Sequence, residues 1–407
     1  MKQERNYPKF TVSKKGEHAI TNGHPWVYGA EILKHEDAEN GSIADVVTES
    51  GKYLGTALLS ESSKIRLRIF SRNANDVFDS AFWKRRISYA WQYRKTVMAE
   101  DISCCRVIFG EADFFPGLTV DRFGSILVAQ TLSLGMEKLK DIIFPLLVCV
   151  LREDGQHITA IYERNDVAIR RLEGLTESKG FYDFGEEIPT CTTTVICENN
   201  IEYEVDFENG QKTGFFLDQK YNRALVAKMA KGKRVLDCFT HTGSFALNAA
   251  YGGAAHVTAV DVSESAVEMA KKNALRNALD VNMDFIAADV FELLPALEKG
   301  CAEKYDFIIL DPPAFTKSRK TATNAMRGYK EINYRAMKLL PRGGYLATCS
   351  CSHFAEEAEF CKMLKSSARD AGVELRQIAV RAAAPDHPVL WNVSETQYLK
   401  FYVFQIV

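Results

Sequence analysis

The stretch "YLATCSCSHF" (345–354) ends an apolar run with two cysteines one residue apart, Cys349 and Cys351. Alternate residues of a strand face the same side, so both thiols could share one face. Such a pair could hold a metal, form half of a disulfide, pack in a core, or attack a substrate carbon as a thiolate. The chain has ten cysteines but no C-x-x-C, and its other close pair is Cys104–Cys105. Neither pair has a second pair at zinc-site spacing, so no metal is expected. Ten cysteines in 407 residues, without the density of a secreted scaffold, fit reduced thiols in a cytoplasmic protein.

Four aspartates carry the second chemical signal. Asp237, Asp261, Asp289 and Asp311 each follow an apolar, strand-like run: "KRVLD", "HVTAVD", "MDFIAAD" and "YDFIILD". Ligands of open α/β sheets bind outside the carboxyl ends of the strands. A buried strand-end carboxylate is costly unless something pairs with it, so four in succession point to a polar, partly cationic ligand. Asp261 has the position to accept both ribose hydroxyls, and Asp289 to accept from an adenine amine. Asp237 and the turn containing Gly243 leave room for an amino-acid group, whose carboxylate gains from N–H groups at a helix start. A nicotinamide dinucleotide would need G-x-G-x-x-G in the first turn. That turn reads "DCFTHTGSF", with one glycine and an acid in front. S-adenosylmethionine, which has no phosphate and carries a sulfonium, fits it better.

The elements that must position these residues fall into three blocks. Residues 1–70 show short alternating runs with glycine turns, the pattern of a small β-rich module. Residues 71–190 read as a small α+β domain: an aromatic and basic helix, an apolar helix near 137–150, and the strand-like "GSILVAQTLS" and "HITAIYER". Residues 191–407 alternate strands and helices, the signature of a parallel α/β sheet. Seven strands are expected there, the last antiparallel because its connection is short. Helix starts are expected near Ser244 and after Ser263 as an N-cap.

Hydrophobic residues make up 46% and charged residues 26%, as in a soluble globular protein. No apolar run reaches membrane-span length, and the first ten residues lack the apolar core of a signal peptide. The net charge of −2 hides local fields. Residues 311–342 hold eight Lys or Arg against Asp311 and Glu331, a balance of +6. "FWKRRISYAWQYRK" (82–95) interleaves five basic residues with five aromatics. The first run borders the strand end at Asp311 and reads as a phosphate cradle, with Lys317, Arg319, Lys320, Arg327 and Lys330 as RNA contacts. The second is open between nucleic-acid stacking and core packing of Trp83 and Trp91.

"DCFTHTGSF", Asp261, "AAD" and "DPPAF" resemble, in order and spacing, the class I S-adenosylmethionine methyltransferase motifs. "NGQKTGFFLDQKYNR" (209–223), "SCS" and "RAAAPDHPV" (381–389) are more specific. With "GHPWVYGAEI" (23–32) they resemble the bacterial 23S rRNA cytosine-5 methyltransferase family. That resemblance implies a C-terminal Rossmann-like domain at 191–407 with a seven-stranded sheet, an N-terminal PUA RNA-binding domain at 1–70, and a central α+β domain at 71–190. It implies cofactor contacts from Thr213, Phe215, Asp218, Asp237, Phe239, Gly243, Asp261, Ser263, Asp289 and Asp311. Large-subunit ribosomal RNA is the implied partner, without a membrane; a homodimer is an open expectation. The family usually has His where Gln211 stands.

Carbon 5 of cytosine is a poor nucleophile until a thiolate adds at carbon 6. Alignment to "SCS" makes Cys351 the attacker, Cys349 the alternative, and Asp311 the acid near ring nitrogen 3. Many RNA cytosine methyltransferases carry another cysteine after the fourth-strand proline; Ala314 stands here, so another base must release the adduct, and His353 and His387 are candidates, although a lone His is more often a satisfied structural residue. Two other functions share the pattern: methylation of a guanine ring nitrogen (position 7), which needs no cysteine, and a non-catalytic RNA-binding assembly factor.

Overall fold

The computed structural model describes residues 5–300, 305–315, 322–352 and 354–407. They form two compact units. One comprises residues up to Ile196 with Val205–Leu217 and Pro385–Thr396; the other comprises Cys197–Glu204, Asp218–Ala384 and Gln397–Val407. Among the described residues no helix is long and apolar enough to cross a membrane.

The first unit contains two sheets. The six strands between Lys9 and Ser71 bury Phe10 and Val12, Ala44 and Val46, Ala57 and Leu59, and Leu67 and Ile69 in one core. Each pair is two residues apart, which is why alternation was legible in this β-rich segment. A five-stranded sheet follows, from Cys104–Phe109 to Lys179–Phe181, with helices Ser80–Met98 and Leu134–Glu153. In Ser80–Met98 the residues Phe82, Trp83, Ile87, Trp91, Arg94 and Met98 are buried along one helical stripe. The Arg94 guanidinium is fully buried and donates to both oxygens of Asp113, at 2.5 and 2.7 Å. The aromatic-basic interleaving of 82–95 is therefore core packing on its inner face, and Trp83 and Trp91 are not stacking platforms.

The second unit is built on seven strands: β1 (Arg234–Cys238), β2 (His256–Asp261), β3 (Met283–Ala287), β4 (Phe307–Leu310), β5 (Tyr345–Ser350), β6 (Leu375–Arg381) and β7 (Lys400–Ile406). Their order is β3-β2-β1-β4-β5-β7-β6. The first five pair in parallel, and β7 runs antiparallel to both β5 and β6, as the short final connection requires. Every residue of β4 is fully buried, as a strand covered on both faces must be. The helices are α1 (Lys220–Met229), α2 (Ser244–Tyr251), α3 (Glu264–Arg276), α4 (Val290–Lys299), α5 (Ala322–Leu339) and α6 (Glu357–Ala371). The strand order reverses between β1 and β4, so a crevice opens at their carboxyl ends. Asp237 and Asp311 stand at that edge.

Candidate active site

Asp237, the penultimate residue of β1, is fully buried. Its Oδ2 accepts from the Thr240 hydroxyl at 2.6 Å and from the Ala246 N–H at 2.9 Å. Its Oδ1 is buried with no hydrogen-bond partner among the described residues. Burial, with the charges of Asp311 and Asp261, raises the carboxyl from its ordinary 3.8 to about 8, against the pull of those two donors. In the loop after β1, Phe239, His241 and Gly243 all take positive φ, at 66°, 52° and 86°. Left-handed Phe and His are unusual, and such strain gathers at functional turns. Gly243 has no alternative: a Cβ there would lie 2.7 Å from Leu247 Cδ1 and 2.9 Å from Ala270 Cβ.

The strained loop also turns the His241 N–H onto Asp261 Oδ2, at 2.9 Å, while the Ser263 N–H reaches Oδ1 at 3.0 Å. Both oxygens are thus fixed in direction, each with a lone pair left for a hydroxyl donor. The Ser263 hydroxyl accepts from Ala266 N–H and caps α3. Ser263, expected as a cofactor contact, thus joins the site through its N–H on Asp261 Oδ1 and its hydroxyl at the start of α3. Asp289 lies two residues beyond the end of β3 rather than at it; its side chain caps α4 by accepting from Phe291 N–H at 2.8 Å. It is exposed, as is Val262, at 73%. Val262 offers apolar surface beside Asp261 that sequence reading missed.

A second cluster surrounds Asp311, one residue past β4. The Gln219 amide donates to Asp311 Oδ1 at 3.0 Å. Burial first, then the charge of Asp218, raises the Asp311 carboxyl to about 6, against Arg223 and hydrogen bonds from Gln219 and Cys349. Asp218 is buried and accepts from the Tyr398 hydroxyl at 2.6 Å. Arg223 and Glu198, both buried, form a two-pronged ion pair at 2.7 and 2.8 Å.

The two cysteines separate here. Cys349 lies within β5, paired with Phe401 of β7, and is fully buried. Burial and the nearby Asp311 charge push its thiol well above the ordinary range. Cys351 lies just past the end of β5, is half-buried, and its Sγ is 3.9 Å from the carbonyl oxygen of Pro312 in the D-P-P turn. Nearby, the buried Lys400 ammonium donates to the carbonyls of Ser352 at 2.7 Å and Tyr398 at 2.9 Å. Burial lowers its proton affinity, and interaction with Cys351 and Glu357 raises it. A cation within electrostatic reach of a thiol favours the thiolate. Lys400 leaves no signal in the sequence, because strand pairing with Ser350, and not spacing, brings it near Cys351.

The remaining expected site residues are distributed as follows. Thr213 and Phe215 belong to the first unit and are buried there; the Thr213 hydroxyl donates to Asp121 Oδ2 at 2.6 Å. His387 is buried in the same unit, with Nδ1 2.8 Å from Asp386 Oδ1. His353, Lys317, Arg319 and Lys320 lie outside the described residues. Arg327 is exposed, whereas Lys330 pairs with Asp370 at 2.7 Å and Arg335 with Glu298 at 2.6 Å. Acids from α4 and α6 therefore offset part of the +6 counted along the run.

The residues present fit S-adenosylmethionine. Asp237 Oδ1 and the Thr242 hydroxyl in the same loop are buried without partners among the described residues, an acceptor and a donor suited to an ammonium and a carboxylate. Comparison with known proteins agrees. Residues 178–404 match the family model of S-adenosylmethionine-dependent methyltransferases, and residues 10–72 that of a PUA-like domain. Ribosomal RNA large subunit methyltransferase I of Klebsiella pneumoniae is 36% identical over 404 residues, covering 98% of this chain and 99% of that protein. The Aeromonas hydrophila protein of the same name is 39% identical over 393 residues, covering 95% and 96%. SMU.776, assigned as a methyltransferase and solved with SAH, superposes with a TM-score of 0.82 at 22% identity over 98% of this chain and 99% of its own, a likeness of fold. The chain therefore belongs to the S-adenosylmethionine-dependent methyltransferases, in the ribosomal RNA large subunit methyltransferase I family.

Proposed function

We propose that this enzyme methylates carbon 5 of a cytosine in the RNA of the large ribosomal subunit, with Cys351 as nucleophile and Asp311 facing ring nitrogen 3. The observation that carries the reading is the difference between the two cysteines. Cys351 is half-buried against the D-P-P turn at Pro312, whereas Cys349 is fully buried and its thiol is engaged by Asp311. S-adenosylmethionine, when bound, supplies an electrophilic methyl group, and Asp237, Thr242, Gly243 and Asp261 would hold it. Asp289 and Val262 would border its base.

The chain's own residues do the rest. The Cys351 thiolate adds to carbon 6 of the cytosine, breaking the carbon 5–carbon 6 double bond and placing electron density on carbon 5. Asp311 in its acid form donates a hydrogen bond at nitrogen 3, where negative charge develops. After methylation, the carbon 5 proton passes to solvent, the one net proton the transfer from a sulfonium releases, and the double bond re-forms as the thiolate is expelled. Ring attack needs the cytosine out of its stack, so the substrate is a loop base or one extruded from a helix. The PUA-like segment and the exposed Arg327 support RNA as the partner.

Trapping on RNA that carries 5-fluorocytidine tests the reading, because fluorine cannot leave as the proton does. A covalent complex is expected from the wild-type and Cys349→Ser enzymes and none from Cys351→Ala. Turnover retained by Cys351→Ala would overturn the thiolate mechanism and favour a ring nitrogen of guanine.

A further inference from the structure

Between the Arg223–Glu198 ion pair and the D-P-P turn runs a directional hydrogen-bond chain that the proposed reaction does not use. Asn222 Nδ2 donates to Gln219 Oε1 at 2.7 Å and to the Ala382 carbonyl at 3.2 Å. Gln219 Nε2 then donates to Asp311 Oδ1 at 3.0 Å, across 92 residues of sequence. Gln219 and Asn222 are 3% and 2% exposed, so water does not compete freely for these groups. An amide offers a donor on one side and an acceptor on the other. Because the Asn222 NH₂ faces the Gln219 oxygen, turning the Gln219 amide over would set donor against donor and oxygen against carboxylate. Gln219 therefore presents an N–H to Asp311.

On the reading that Asp311 meets the nucleobase, we propose that Gln219, locked by Asn222, is a positioning residue for Asp311. It commits Oδ1 to accepting a hydrogen bond and reserves Oδ2 for the proton offered to the base. Cytosine presents an acceptor at nitrogen 3 beside an amino group, whereas uracil presents an N–H beside an oxygen. A carboxyl whose Oδ1 is assigned as acceptor, so that the proton is carried on Oδ2, is the arrangement that tells these edges apart.

Among the described residues, the charged and titratable groups facing Asp311 come from several elements. Asp218 lies before α1, Arg223 on α1, Asp237 near the end of β1, Tyr329 on α5, and Cys349 on β5. Asp218 and burial favour the acid form of Asp311; Arg223, Gln219 and Cys349 favour the carboxylate. The balance leaves Asp311 near neutrality, at about 6, where it can exchange a proton during turnover. Removing the Gln219 donor must raise that value.

The direct measurement is a carboxyl-carbon NMR titration of the full-length enzyme labelled at aspartate, with Asp311 assigned by its loss in Asp311→Asn. In Gln219→Met, the Asp311 midpoint is expected to rise by roughly one pH unit, the worth of one hydrogen bond to a carboxylate. Asn222→Leu adds no charge and leaves Gln219 in place, but removes the donor that fixes its amide, which is then able to turn its oxygen toward Asp311 in the acid form. The same upward direction is expected, and this variant decides the matter if Gln219→Met does not fold. Affinity for S-adenosylhomocysteine by calorimetry should stay within about twofold of wild type in both, since a local change at Asp311 leaves Asp237 and Asp261 intact. An Asp311 midpoint unmoved in Asn222→Leu would overturn the inference. Wild-type enzyme that forms no adduct with 5-fluorocytidine RNA at any pH would overturn the cytosine reading instead, and the NMR midpoint would still decide the role of Gln219.

Discussion

Replacing Asp237 with asparagine is expected to stabilise the ligand-free enzyme at alkaline pH while removing its affinity for the cofactor. The carboxyl is fully buried, has one oxygen without a partner, and titrates at about 8 instead of 3.8. Between those values the folded chain holds a proton that the unfolded chain has released, so stability falls as pH rises through the window. About 4 pH units at ~1.4 kcal/mol each set an upper figure of ~6 kcal/mol for the ionised state. Asparagine does not titrate, keeps an oxygen for Thr240 and Ala246, and places an NH₂ where Oδ1 stood. That unpartnered donor costs about 1–3 kcal/mol at every pH. The net expectation is a variant slightly less stable than wild type at pH 5 and about 3 kcal/mol more stable at pH 8.5. Denaturant midpoints of both proteins at the two pH values measure this. S-adenosylhomocysteine binding adds a second readout. Pairing its ammonium with ionised Asp237 should release nearly one proton at pH 7, seen as a dependence of the binding enthalpy on buffer ionisation and absent from the variant. If Asp237→Asn is equally destabilised at both pH values, the reasoning that the apo carboxyl is held near 8 is wrong.

Three further expectations follow from single contacts. Gly243→Ala must place a methyl against Leu247 and Ala270 at a positive φ, and should lower stability by about 1–3 kcal/mol with a matching loss of cofactor affinity, read by denaturation and calorimetry. Arg223→Met leaves Glu198 buried and unpaired; a loss of about 3–5 kcal/mol is expected, largely recovered when Glu198→Leu is added, which a double-mutant cycle measures. Lys400→Met removes the ammonium near Cys351, so the rising, thiolate limb of 5-fluorocytidine trapping should move to higher pH by about one unit. An unmoved limb would show that Lys400 only ties the Ser352 and Tyr398 carbonyls.

The second unit was largely legible because its code is local. Apolar runs of strand length, each followed by an aspartate and then a helix signal, place β1 to β5 and the carboxyl edge within a residue or two. Ser263 as a cap and the antiparallel β7 follow from equally local chemistry. The run "MDFIAAD" places Asp289 at a strand end, although the last two residues of that run belong to the turn that lets it cap α4. The 82–95 segment could not be resolved from its letters, since aromatic and basic residues alternate alike on a buried stripe and on a nucleic-acid face. The partner of Arg94, Asp113, is 19 residues away and belongs to another element.

What the sequence determined by itself is the order of strands and helices, the ligand edge, the four acids and the pair of cysteines, because each depends on neighbours within a few residues. Tertiary structure alone decided which cysteine is sealed in β5 and which is left at its mouth, since burial depends on β7 and the D-P-P turn packing beside them. It also decided that Lys330 and Arg335 are paired with acids from other helices, and that Gln219 and Asn222 are aligned on Asp311. Hydrogen bonds and ion pairs between elements act through space, over ångströms that sequence spacing does not record.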